Sequence, residues 1–225
     1  AISEMCIRDR SILEFMQLTK KIVFNKLFLF LLNGFFIFYI FIFTYIFFFF
    51  SNVPWLKIIL FILLMGCIAS DIGGYIFGKI FKGPKLTKIS PKKTYSGAAG
   101  SIMLTLVIIS LLFLSFIQPF NYKIILVGTI TSIFCQIGDL FFSLLKRKAN
   151  LKDTGKILPG HGGILDRLDS IFFGLPIGFL TLIIINQMKK LLSILGSTGS
   201  IGLTTLNIID KKKNYFKPFI FSANK

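Results

Sequence analysis

The sequence predicts an all-α polytopic membrane protein of about five transmembrane helices, ending in a short βαβ-like C-terminal fragment. Three observations carry that prediction. Of 225 residues, 54% are hydrophobic and 16% charged, with a mean hydropathy of +0.79, whereas soluble domains carry about 25% charged residues. Several apolar runs approach or exceed the roughly 20 residues that cross a bilayer. Lysines collect between those runs rather than along them.

The formal net charge is +17. In a soluble chain such an excess would suggest nucleic acid. Here the lysines flank apolar runs and suit loops facing anionic headgroups, so no nucleic-acid partner is expected. Cys6, Cys67 and Cys135 are scattered without ligand spacing, which argues against a disulfide framework and a zinc site.

Residues 1–26 are mixed and modestly charged and lack the pattern of a signal peptide. They read as an N-terminal leader. Its beginning, AISEMCIRDRS, is a candidate non-native remnant, unrelated to the remainder of the chain. A membrane domain is expected over 27–187 and a separate piece over 188–225.

The first span, 27–50, is dominated by Phe; Lys20, Lys21 and Lys26 before it place its start on the cytoplasmic side. SNVPW at 51–55 turns the chain into a second span, about 56–77, which holds Asp71. Residues 79–97 carry Lys79, Lys82, Lys85, Lys88, Lys92 and Lys93 and no acid, so this loop is cytoplasmic. A third span covers about 98–118, and QPFNY at 119–123 turns the chain again. The fourth, about 124–145, contains Gln136 and Asp139; the fifth covers about 170–187. Two spans separate each basic region from the next, so all three fall on one side.

The candidate chemistry sits at 139–169, where Asp139, Asp153, Asp166 and Asp169 alternate with Lys146, Arg147, Lys148, Lys152, Lys156 and Arg167. An ionisable residue in or beside a span is costly, and so is a functional candidate. The plainer alternative is a snorkelling or salt-bridged acid. Asp166 and Asp169, three apart, share a face if the stretch is helical, and Asp139 meets them if the fourth and fifth spans pack side by side. Carboxylates without Cys favour Mg²⁺, which commonly also binds substrate phosphates. The bases would neutralise phosphate oxygens. In PGHGG, Gly160, Gly162 and Gly163 let backbone approach a ligand and form an anion nest; an ordinary loop is the alternative. His161 fits a general acid, a phosphate donor or a packing residue equally well.

The stretch SLLKRKANLKDTGKILPGHGGILDRLD, residues 143–169, resembles the signature of the phosphatidate cytidylyltransferase (CDP-diacylglycerol synthase) family. Gln136, Gly138 and Asp139 match the family's preceding Gln-x-Gly-Asp. Ser70-Asp71, Tyr75, Gly78-Lys79 and Ser90-Pro91-Lys92-Lys93-Thr94 match an upstream element, although Ser96 stands where a Glu is common. The resemblance covers about 60–187. It implies condensation of CTP with phosphatidic acid to CDP-diacylglycerol and pyrophosphate, in phospholipid biosynthesis. It implies a bacterial inner-membrane, multi-pass protein with a cytoplasmic site, with a homodimer as a candidate assembly.

By the same resemblance, Asp139, Asp166 and Asp169 are the metal-linked acids. The catalytic set is these three with Lys146, Arg147, Lys152, Asp153, His161 and Arg167. Asp71, Lys79, Ser90, Lys92, Lys93, Gly160, Gly162 and Gly163 are substrate-binding. The alternatives are a CTP-dependent membrane lipid kinase and a non-catalytic transporter with acids along its pathway. Family members carry more spans upstream. This chain therefore reads as an N-terminally truncated member, and turnover by the fragment alone is not implied.

From Met188 the sequence changes character. MKKLLSILGSTGSIGLTTLNIID resembles the start of 1-deoxy-D-xylulose 5-phosphate reductoisomerase, with Gly196, Gly199 and Gly202 as vestigial NADPH-type turn glycines. The chain stops at Lys225, near a second expected strand. The tail therefore reads as an unproductive junction between two neighbouring genes, and a bifunctional enzyme is not expected.

Overall fold

A computed structural model describes residues 2–87, 90, 93–117, 122–151, 153–155, 162–187, 190–195, 203–205, 207–208 and 216–222. The described elements are helices α1 (Ile2–Ile22), α2 (Lys26–Asn52), α3 (Pro54–Phe81), α4 (Tyr95–Phe116), α5 (Lys123–Lys148) and α6 (Leu165–Gln187), and strands β1 (Lys190–Leu195) and β2 (Phe216–Ser222). Five of these helices, α2 to α6, are long and apolar enough to cross a membrane. The chain is a multi-pass membrane protein. It divides into two compact units, Ala1–Phe179 and Leu180–Lys225.

Each expected span is found, extended by a turn or less at most ends. Asn25 caps α2 by accepting from the Leu27 amide at 3.0 Å, and Pro54 starts α3 where a missing N–H costs nothing. Thr94 caps α4, accepting from Gly97 N at 3.1 Å. The exception is α6, which begins at Leu165, before the expected start of the fifth span, and so brings Asp166 and Asp169 into the helix.

Inside the bundle, α3 and α4 touch backbone to backbone. A Cβ added at Gly73 would lie 2.7 Å from the Gly100 carbonyl oxygen, and one at Gly97 2.7 Å from that of Gly74. Small residues allow this approach where lipid offers no hydrophobic drive for association. Helices α5 and α6 meet similarly: a Cβ on Gly138 would sit 2.5 Å from the Asp169 carbonyl oxygen. Pro176 lies within α6 and cannot donate to the carbonyl four residues earlier, that of Phe172. The Tyr39 hydroxyl of α2 donates to that carbonyl instead. The replacement matters because an unpaired backbone group is costly inside a bilayer.

The stretch expected as a leader forms α1 and packs into the first unit. Ser11, Glu14, Phe15, Leu18 and Thr19 are all 3% exposed or less, and their spacing marks one helical face. Phe15 stacks on Phe36 of α2 at 3.7 Å between centroids, and Thr19 Oγ1 donates to Asn33 Oδ1 at 2.8 Å. Phe15, Phe36, Ile40, Phe142, Leu165 and Phe172 join α1, α2, α5 and α6 in one core.

In the second unit β1 and β2 pair in parallel, from Lys190↔Phe216 to Leu195↔Ser222. The register shifts after Leu192, whose partner is Pro218, a residue that cannot donate to a ladder. Between the strands only 203–205 and 207–208 are described as helical. A complete βαβ unit is therefore not among the described elements, and Gly196, Gly199 and Gly202 lie outside the described residues.

Candidate active site

The second halves of α3 and α5 and the first turns of α4 and α6 converge with the α3–α4 loop around one cavity of about 350 Å³. The loop closes as a small antiparallel turn, with Lys85 bridged to Thr94. Leu86 N donates to the Lys93 carbonyl at 2.8 Å and Tyr95 N to that of Pro84 at 3.0 Å. Ser96 accepts from Gly83 N at 3.3 Å and helps tie this turn. The turn carries Lys93 over the cavity, and its Nζ lies 2.5 Å from Asp139 Oδ2 of α5. Gln136, one turn before Asp139, fixes α5 to α4 by donating to the Ala98 carbonyl at 3.2 Å.

Six of the sequence-predicted residues line this one cavity: Asp71, Ser90, Lys93, Asp139, Asp166 and Asp169. Asp71 of α3 accepts from Ser170 Oγ of α6 at 2.7 Å. Asp169 is 8% exposed and accepts only from its neighbour Ser170 N, at 2.9 Å, among the described contacts. Asp166 is more heavily used. Its Oδ1 meets Lys146 Nζ at 2.7 Å. Its Oδ2 accepts from Thr154 N at 2.8 Å and Gly163 N at 3.1 Å, with Thr154 Oγ1 also 3.1 Å away.

Other expected residues stand apart from the cavity wall. Lys146 lies behind Asp166. Arg147, Asp153 and Arg167 are exposed, and Lys79 lies 5.7 Å over the Tyr75 ring. Gly162 has φ +82°, a left-handed conformation that favours glycine; Gly163 is buried and turns its amide to Asp166. Lys92, Lys152, Gly160 and His161 lie outside the described residues.

Sequence reasoning missed Glu14, Thr154 and Ser170. Glu14 comes from α1, and its carboxylate accepts from Thr154 Oγ1 at 2.9 Å, Ile164 N at 3.1 Å and Leu165 N at 2.9 Å. An acid within an otherwise buried helical stripe was the available signal.

The donor chemistry suits a hard divalent cation: every acidic group on the cavity is a carboxylate, joined by hydroxyls. Among the described residues no three such groups stand close enough to hold one ion between them. Mg²⁺ does not demand that, since one or two carboxylates commonly suffice, with waters and substrate phosphates completing its shell. Asp139 and Asp169 fit such a pair in kind, one from each of two packed helices.

A bundle of helices long and apolar enough to cross a membrane, around a cavity lined by acids and a lysine, defines the class, a polytopic membrane protein with a charged site. The family model of the cytidylyltransferase family matches residues 6–185, and the chain belongs to that family. The chain is 43% identical over 128 residues to a phosphatidate cytidylyltransferase of Rickettsia felis, covering 52% of this chain and 56% of the relative. It is 48% identical over 112 residues to that of Staphylococcus haemolyticus, covering 48% and 42%. It is 46% identical over 110 residues to that of Bacillus subtilis, covering 48% and 41%. The chain spans about half the length of the curated relatives it matches. Residues 192–225 match the model of 1-deoxy-D-xylulose 5-phosphate reductoisomerase.

Proposed function

We propose that this chain carries the catalytic half of a phosphatidate cytidylyltransferase, joining CTP and phosphatidic acid to give CDP-diacylglycerol and pyrophosphate. The observation that carries the reading is one cavity lined by Asp71, Asp139, Asp166, Asp169 and Lys93, with Lys93 paired to Asp139, between membrane-crossing helices. A lipid phosphate is anionic at neutral pH and needs no general base to attack. Its oxygen forms a bond to the α-phosphorus of CTP, and the bond from that phosphorus to the β-phosphate bridging oxygen breaks. Lys93 neutralises phosphate oxygens as they gather charge, with Lys92 and Lys152 as further phosphate partners. Asp139 and Asp169 would hold Mg²⁺, with waters and substrate phosphates completing its shell, and the ion would supply further neutralisation of phosphate charge. Asp166, assigned to the metal with them on sequence, has both oxygens engaged by Lys146, Thr154 and Gly163.

The acyl chains stay among the spans while the headgroup meets CTP at the membrane edge. Positive-inside logic puts that edge on the cytoplasmic face of the bacterial inner membrane. A second copy of the chain is the proposed partner. Residues 188–225 are read as the beginning of a nucleotide-binding unit.

Two radiolabels test the reaction. CTP labelled at the α-phosphate is expected to pass its label into lipid, with release of unlabelled pyrophosphate. Lipid that gains label from γ-labelled CTP alone marks a kinase and overturns the proposal. No transfer by a version of full family length would also overturn it.

A further inference from the structure

We infer that Glu14 is a positioning residue for the active-site loop, a role that rests on the proposed reaction at the cavity. Glu14 lies on α1, is 2% exposed and spends both carboxylate oxygens on the segment between α5 and α6. Oε2 accepts from Thr154 Oγ1 and from Leu165 N, each at 2.9 Å, and Oε1 from Ile164 N at 3.1 Å. One side chain thus holds the stretch entering the Gly-rich turn and the stretch leaving it.

The second hold on the same points is Asp166, whose Oδ2 takes Thr154 N and Gly163 N. Thr154 Oγ1 lies 2.9 Å from Glu14 Oε2 and 3.1 Å from Asp166 Oδ2, so its one proton serves either carboxylate in turn, and the hydroxyl stands between the clamp and a carboxylate on the cavity wall. Two glycines make room for the clamp. A Cβ at Gly155 would stand 2.7 Å from Glu14 Oε1, and one at Gly163 would strike both Thr154 Oγ1 and Glu14 Oε2.

Ile164 and Leu165 open α6, where amides have no partner within the helix. A carboxylate there satisfies them and complements the positive end of the helix dipole. The site of Asp166 and Asp169 is one to four residues further on. Moving Glu14 therefore moves the first turn of α6 and both residues with it, although Glu14 itself does not line the cavity.

Glutamine is nearly isosteric but has one acceptor oxygen, so Glu14→Gln sets an N–H₂ against at least one of the three donors. The test is hydrogen exchange by mass spectrometry on the whole chain in detergent, wild type against Glu14→Gln and Thr154→Val. The expected result is exchange about tenfold or more faster in 153–155 and 162–166, with α3 and α4 unchanged. Unchanged exchange in those segments overturns the inference. So does an equal acceleration throughout the first unit, which would mark a residue needed only for folding.

Turnover of CTP on the full-family-length version separates this inference from the function beneath it. Glu14→Gln is expected to raise KM for CTP more than it lowers kcat, and Thr154→Ser, which keeps the hydroxyl, to retain wild-type values. Local loosening with KM and kcat both unchanged refutes positioning. A wild type without turnover refutes the proposed reaction, and the exchange result then decides the clamp alone.

Discussion

The α3–α4 contact and the α1–α6 contact hold the same bundle by opposite means. Between α3 and α4, glycines bring backbones into contact, and no charge is involved. Between α1 and α6, a buried carboxylate takes amides and a hydroxyl from a loop 140 residues or more away in sequence. The first contact sets distance and tolerates only small residues. The second sets which atoms meet. The cavity depends on both, because α3 carries Asp71 while α6 carries Asp166 and Asp169.

The sharpest break of this contrast is at the cavity itself. Asp139→Asn removes the charge facing Lys93 without altering shape, and label transfer from CTP to lipid is expected to fall by about 10²–10³-fold, as when a preorganised charge partner is removed. Melting in detergent should be preserved. Metal removal addresses the same point: chelation with EDTA should abolish turnover, and added Mg²⁺ should restore it. Persistence of full turnover in EDTA would contradict the assignment of the acids.

Next in size are the packing positions. Gly138→Val drives a side chain into the Asp169 carbonyl, and overpacking of this kind costs about 1–3 kcal/mol. Lower thermal stability together with lost turnover is expected, since the same contact aligns two cavity acids. A variant as stable and active as wild type would show that α5 and α6 need not touch there. A smaller effect is expected from Tyr39→Phe. It leaves the Phe172 carbonyl without the donor that replaces the one Pro176 lacks, at a cost of about 1 kcal/mol. A shift in the denaturation midpoint, with unchanged KM, is the readout.

The same contrast separates what was legible in the sequence from what was not. The spans were legible because Phe, Leu and Ile runs leave few alternatives. The acids of the site were legible because Asp71, Asp139, Asp166 and Asp169 interrupt or border those runs. The helix α1 was not, because three of the five residues of its buried stripe are Ser11, Glu14 and Thr19, which lowers hydropathy while matching the partners it meets. The pairing of Lys93 with Asp139 was also hidden: six lysines crowd 79–97, and only the turn geometry selects one. The start of α6 was misplaced because Asp166, Arg167 and Asp169 look like loop, although Glu14 satisfies the amides of Ile164 and Leu165 at its start. Two strands at the C-terminal end were legible, but the helix expected between them is not among the described elements.

The central claim is that the cavity acids act with Lys93 on CTP at the membrane edge. The most direct measurement compares α-labelled CTP incorporation into lipid by wild type, Asp139→Asn and Phe30→Ala, the last a lipid-facing residue 73% exposed. The account predicts Mg²⁺-dependent incorporation by wild type and Phe30→Ala and almost none by Asp139→Asn. Equal incorporation by all three would contradict it.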